Sequence, residues 1–243
     1  MTLKEAIASA QQTLVDLGLT GLKVGSSEHR ADLRLWTLEY TGSGQVYRVS
    51  LDEEDRQVYA VTSSRLSGAL TGGTPPRLGL AVSKEQAQVV CASYARRLAK
   101  GVAFKIVKVD VPYAQWPGRR GTLSRIVKVE FAPMLNGFAV QGYGCTIELD
   151  RSDGSLLSYA GKWNLPPHDP APSKPMTIDQ VRSVAAAHVK SKRTMLAMPV
   201  ERKMAYIETP NHRLRVAWII EYSRSKFVVD ASNGKVIYFE AYK

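Results

Sequence analysis

Cys91 and Cys145 are the two cysteines of the 243-residue chain, so any thiol chemistry must come from them. Cys91 shares the inward face of a helical pattern with Val90 and Tyr94, and Cys145 shares a strand face with Ile147 and Leu149. Helix and sheet of one unit would bury both. Two buried free thiols and a helix-to-sheet disulfide both fit that placement, and the second would mark an oxidising compartment. Nucleophilic catalysis is disfavoured, because a reactive thiolate needs exposure and a nearby positive group. His29, His168, His188 and His212 stand in four settings with no partner at metal-ligand spacing, so no metal site is expected. His188 falls on the buried face of a helix and reads as an interior histidine. The pairs Asp52–Asp55 and Asp150–Asp153 are turn-forming carboxylates, since a calcium loop needs more oxygen ligands and a terminal Glu.

Phosphate and acyl-transfer chemistry are equally unsupported. The chain has no G-x-x-x-x-G-K-[ST] loop, no G-x-G-x-x-G after a strand and no G-x-S-x-G elbow. Gly42-Ser-Gly44 and Gly142-Tyr-Gly144 read as turn or bulge glycines. The expectation is therefore no catalytic residue, no cofactor and no enzyme activity. Two places suit binding instead. The loop from Pro112 to Gly121 carries Tyr113, Trp116, Arg119 and Arg120, residue types that dominate interfaces, on the kind of segment that presents them. A basic cluster, Lys190, Lys192 and Arg193, closes the third helix, with Arg202-Lys203 shortly after.

The elements that would carry these residues repeat three times. Capping boxes S/T-x-x-E/Q occur at Thr2–Glu5, Ser83–Gln86 and Thr177–Gln180, each opening an amphipathic helix of about 16 residues. Leu3, Ile7, Ala10, Leu14 and Leu17 share a face in the first; Ala87, Val90, Cys91, Tyr94 and Leu98 in the second; Val181, Val184, Ala185 and His188 in the third. A turn of the form apolar-Asp-x-x-[Asp/Asn]-Gly-x-apolar closes each unit, at Leu51–Val58, Leu149–Leu156 and Val229–Val236. Arg56 stands where the other two turns have Gly154 and Gly234, which predicts a looser or differently shaped first turn. From capping residue to turn Asp the spacing is 50, 67 and 53 residues.

Between helix and turn the chain alternates with period two. Val127, Val129 and Phe131 face one way, and Ile126, Lys128 and Glu130 the other. Leu33, Leu35, Thr37 and Glu39 alternate with Arg34, Trp36, Leu38 and Tyr40 in the first unit, and Leu214–Tyr222 occupies that place in the third. The fold class is thus α+β: three tandem repeats, each one helix packed on an antiparallel sheet of about four strands. The expected organisation is repeat 1 over 1–62, a linker over 63–80, repeat 2 over 81–163, a stiff Pro-rich linker over 164–175 and repeat 3 over 176–243. Open sheets leave unpaired edges, so pairing between repeats, or oligomerisation through those edges, is open to the chain.

The order helix, strands, then Phe227-Val-Val-Asp-Ala-Ser-Asn-Gly-Lys-Val-Ile237 resembles the PepSY-type domain of peptidase propeptides and secreted bacterial proteins. The middle unit resembles a tandem-repeat branch of that group, the YcdB/YcdC type, through Phe131–Phe138, Gly142, Thr146–Gly154 and Ser158–Trp163. The resemblance implies a cystatin-like fold and a non-catalytic role: binding a protein partner and inhibiting or restraining a peptidase or envelope component. It also implies an extracytoplasmic setting if a signal peptide has been removed, whereas a native start at Met1 would imply the cytoplasm.

Charge supplies the alternative. The 33 basic and 22 acidic residues leave a net +11, distributed as −1 over 1–80, +5 over 81–160 and +7 over 161–243. That gradient suits a nucleic acid or other polyanion. A small-ligand binder using a groove between repeats is the second alternative. No apolar run approaches the roughly 20 residues of a membrane-spanning helix.

Overall fold

The computed structural model describes residues 1–42, 45–64, 82–111, 126–192 and 199–242. Nearly all of the expected first linker therefore lies outside the described residues. Each capping box starts a helix: α1 (Leu3–Asp16), α2 (Lys84–Leu98) and α3 (Ile178–Lys192). Thr2 Oγ1 accepts from the Glu5 amide at 3.3 Å while the Glu5 carboxylate accepts from the Thr2 amide at 2.7 Å. Ser83 with Gln86, and Thr177 with Gln180, repeat this exchange. Two donors that the helix leaves orphaned are satisfied in each case.

Strands follow each helix. After α1 come β1 (Lys23–Arg30), β2 (Leu35–Gly42), β3 (Gln45–Asp52) and β4 (Gln57–Ser63). After α2 come β5 (Phe104–Asp110), β6 (Ile126–Leu135), β7 (Phe138–Ala139), β8 (Gly144–Asp150) and β9 (Leu156–Lys162). After α3 come β10 (Pro199–Glu208), β11 (Leu214–Tyr222), β12 (Ser225–Asp230) and β13 (Val236–Ala241). The fold is α+β. Among the described residues its strands form two antiparallel sheets, ordered β1-β2-β3-β4-β9-β8-β6-β5, with β7 paired to β6, and β10-β11-β12-β13.

The hairpins β3–β4, β8–β9 and β12–β13 share one irregularity. Their registers shift at Ser50/Leu51, Glu148/Leu149 and Val228/Val229, in each case just before the turn aspartate. Such a bulge bends the strand and re-aims the turn. The aspartate then anchors it: Asp52 Oδ1 accepts from the amides of Glu54 and Asp55, and Asp150 and Asp230 Oδ1 from the amide and hydroxyl of Ser152 and Ser232. The expected difference of the first turn does not lie in the backbone region of Arg56. Arg56 adopts φ 52°, the same left-handed region as Gly154 at 75° and Gly234 at 74°, so this residue tolerates the conformation that glycine takes freely.

By compactness the chain divides into two units: Met1–Ala132 with Tyr143–Asn164, and Pro133–Gly142 with Leu165–Lys243. In the first, α1 and α2 cover one face of the larger sheet over a continuous core. Leu14, Leu38, Val49 and Val61 belong to it, as do Cys91, Val129, Ile147 and Tyr159. The inward set Val127, Val129 and Phe131 is buried as its alternation predicts. Leu3 departs from its expected inward face at 40% exposure, and Ala6, fully buried, takes the place nearer the sheet. Leu33 likewise lies in the turn before β2 and is exposed. In the second unit α3 packs on β11, β12 and β13 through Val181, Ala185, Ile220, Phe227 and Val229. His188 joins that packing half-buried, its ring edge-on to Phe227 and Phe239. Ala205, Ala217, Ile219 and Val228 form a separate apolar cluster.

Gly144 opens β8 at φ 104°, and a Cβ there would overlap the carbonyl oxygen of Phe131 on β6. Gly144→Ala is therefore expected to cost about 2 kcal/mol or more, through strain and loss of the close β6–β8 approach. Urea unfolding of the variant beside the parent checks this; an unchanged midpoint would contradict it.

Candidate functional site

The loop residues Tyr113, Trp116, Arg119 and Arg120, and Arg193, lie outside the described residues. Lys190 and Lys192 fall in the last turn of α3, and their side chains lie outside the described set. Cys91 and Cys145 are free thiols buried in the core of the first unit, the former on α2 and the latter on β8. Burial pushes the Cys91 thiol up to about 12, and burial followed by the nearby Cys91 raises Cys145. Thiols held protonated in an apolar core are inert as nucleophiles.

One concavity stands out in the first unit, a cleft of about 280 Å³ where α1, the β3–β4 turn, the end of α2 and the end of β9 converge. Val58, Tyr159 and Trp163, all buried, supply its apolar lining. Asp16, Arg56 and Lys100 supply its charged groups. Arg56 and Lys100 both have positive φ, at 52° and 47°, so local backbone turns bring these two cations to the cleft. Sequence reasoning missed it because its lining comes from four separated segments.

The second unit is organised around Tyr206, which is fully buried on β10. Its hydroxyl donates to the Asp169 carbonyl at 3.1 Å and accepts from the Asn136 side-chain amide at 2.9 Å. The segment Pro133–Gly142 reaches it through the backbone as well: Val140 bridges Tyr206, and the Gln141 amide donates to the Tyr206 carbonyl at 2.9 Å. The Pro-rich stretch expected as a linker runs beside β11. The Leu214 amide donates to the Pro167 carbonyl, and the Asp169 amide donates to the Leu214 carbonyl, both at 2.9 Å. Prolines that cannot donate are tolerated there because His168 and Asp169 lie at the register positions that pair.

Asp169 is gripped by two arginines, Arg213 Nη2 at 2.7 Å and Arg215 Nε at 2.8 Å. Hydrogen bonding from Arg213 is the chief cause holding its carboxyl below the ordinary carboxylate range. Arg215 also approaches Asp230 at 3.5 Å. Burial opposes ionisation of Asp230, but the Ser232 hydroxyl and amide, the Asn233 amide and Arg215 together outweigh it and lower its pKa. These contacts tie the Pro-rich stretch and the aspartate turn to Arg213 and Arg215.

No family model matches the chain, and no curated protein matches it. Among solved structures it is similar to the C-terminal domain of YpeB from Bacillus megaterium, with 13% identity, a TM-score of 0.53, and coverage of 100% of this chain and 98% of that one. The likeness is one of fold. It supports an α+β architecture like that domain's and carries no residue-level role across. No helix among the described residues is long and apolar enough to cross a membrane.

Because the folded pKa values of Asp169 and Asp230 are depressed, their contribution to stability is complete above the unfolded carboxylate value and disappears as pH falls through the folded values. Stability of the second unit is expected to decline below about pH 4. Asp230→Asn should lower stability at neutral pH and flatten that acid decline. Urea midpoints across the acid range measure both; an acid slope identical to the parent's would contradict the assignment.

Proposed function

We propose that the chain is a non-catalytic protein-binding module of three tandem PepSY-like repeats, over 1–62, 81–163 and 176–243, that inhibits or restrains a peptidase or envelope partner. The observation that carries this reading is the recurrence of one device in all three segments: capped helix, antiparallel strands, a bulge before an aspartate, and an aspartate-anchored turn. The fold likeness over the full chain supports it. So does the engagement of the shifted side chains in caps, turns, ion pairs and apolar burial. Tyr113, Trp116, Arg119 and Arg120 are the proposed contact loop, by residue type.

The polyanion reading stands second. Its support is the net +11, with Lys190, Lys192 and Arg193 as its proposed contacts. Against it, many described cations are paired with carboxylates: Arg48 with Glu39 at 2.9 Å, Lys203 with Glu201 at 2.8 Å and Lys226 with Glu221 at 3.2 Å. Interleaved signs make a poorer phosphate track than an uninterrupted basic stripe. The cleft lined by Trp163, Arg56 and Lys100 supports the small-ligand alternative.

A pull-down from lysate and envelope fractions, with and without nuclease and at low and high salt, separates the first two. A discrete protein that survives both treatments, and whose recovery falls about tenfold or more with Trp116→Ala, is expected. Recovery abolished by nuclease or by salt would contradict the protein-binding reading and favour the polyanion one.

A further inference from the structure

We infer that the outer edge of β13 is a homodimerisation edge, on which a second copy of this chain pairs its own β13 in antiparallel fashion. The basis is a joint already present inside the first unit. There β4 and β9, each the strand that follows an aspartate turn, pair with each other antiparallel. The partners are Ala60 with Ala160, Val61 with Tyr159, and Thr62 with Ser158. Counted from the turn aspartates Asp52 and Asp150, Val61 and Tyr159 hold the same position, and the flanking pairs exchange positions across them. The joint thus has local two-fold symmetry, which is the symmetry of an isologous contact between identical surfaces.

β13 is the strand that follows the third aspartate turn, and its outer edge has no partner strand among the described residues. The same count from Asp230 puts Phe239 on the symmetry axis and makes Tyr238 face Glu240 of the second copy, twice. Tyr238 and Glu240 already hydrogen-bond within one chain at 3.0 Å, so the facing groups are chemically matched. Burial points the same way. Val61 and Tyr159 are 0% and 2% exposed at the existing joint, whereas Phe239, which holds their position, is only half-buried.

The edge carries a register shift at Ile237, as β4 and β9 do at Tyr59 and Leu157 and pair nonetheless, and its other guards against pairing are few. β1, an edge of the larger sheet, has a register shift between Val24 and Ser26 and carries Glu28, His29 and Arg30. β13 contains no proline, and Glu240 is its one charged residue. Pairing would join two four-stranded sheets just as β4 and β9 join their hairpins.

The test is sedimentation of the full chain across a dilution series, with Tyr238→Glu and Tyr238→Lys variants whose folding is verified by circular dichroism. Tyr238→Glu sets carboxylates opposite each other twice and is expected to weaken the dimer about tenfold or more, while Tyr238→Lys, facing Glu240, retains it. Register is read separately by mixing Tyr238→Cys and Glu240→Cys chains under copper–phenanthroline oxidation. The mixed pair should cross-link faster than either variant alone. A parent that stays monomeric throughout, a dimer indifferent to Tyr238→Glu, or cross-linking without preference for the mixed pair would each overturn the inference.

Discussion

The three-residue ladder between β4 and β9 is the contact on which the first unit depends. Without it, each of the two hairpins would end in an open edge, and the apolar faces of α1 and α2 would cover separate small sheets. Small sheets bury too little apolar surface to be robust alone. With it, Val61 and Tyr159 disappear into one core that runs beneath both helices. The flanking residues at the joint, Ala60, Thr62, Ser158 and Ala160, are small.

The aspartate turns set up that contact. A bulge before Asp52 and another before Asp150 bend the chain in the same way, so β4 and β9 leave their turns alike. Strands presented alike can meet about a two-fold axis. Arg56 accepts a left-handed backbone within this arrangement, which shows that tertiary context outweighs the local preference for glycine. In the second unit Asp230 anchors its turn in the same manner with an added connection to Arg215, and Arg215 shares Asp169 with Arg213. Turn, Pro-rich stretch and β11 are thereby tied by one charge network.

Much of this architecture is legible in the chain itself, and the reasons differ by element. The helices announce themselves because a capping box and an apolar stripe are local signals, and Thr2, Ser83 and Thr177 do cap them. The turns are legible for the same reason. The β4–β9 joint is not, because Ala60 and Ala160 are a hundred positions apart in numbering and neither residue type advertises a partner. Tyr206 is similarly silent: its role comes from Asn136 and Asp169, which the topology brings to its hydroxyl. The cleft around Trp163 assembles only when α1, α2 and β9 are in place. The chemistry of the thiols is readable in the sequence only as alternatives, since burial depends on how helix and sheet meet.

Native-state hydrogen exchange at the joint tests the account most directly. If β4 and β9 are a central seam, the amides of Ala60–Thr62 and Ser158–Ala160 will all be as protected as those of β3 and β8, and will exchange only when the whole unit opens. Exchange there as rapid as along the exposed edge strand β1 would show that the seam is open in solution, and would contradict both the single core and the pairing rule drawn from it.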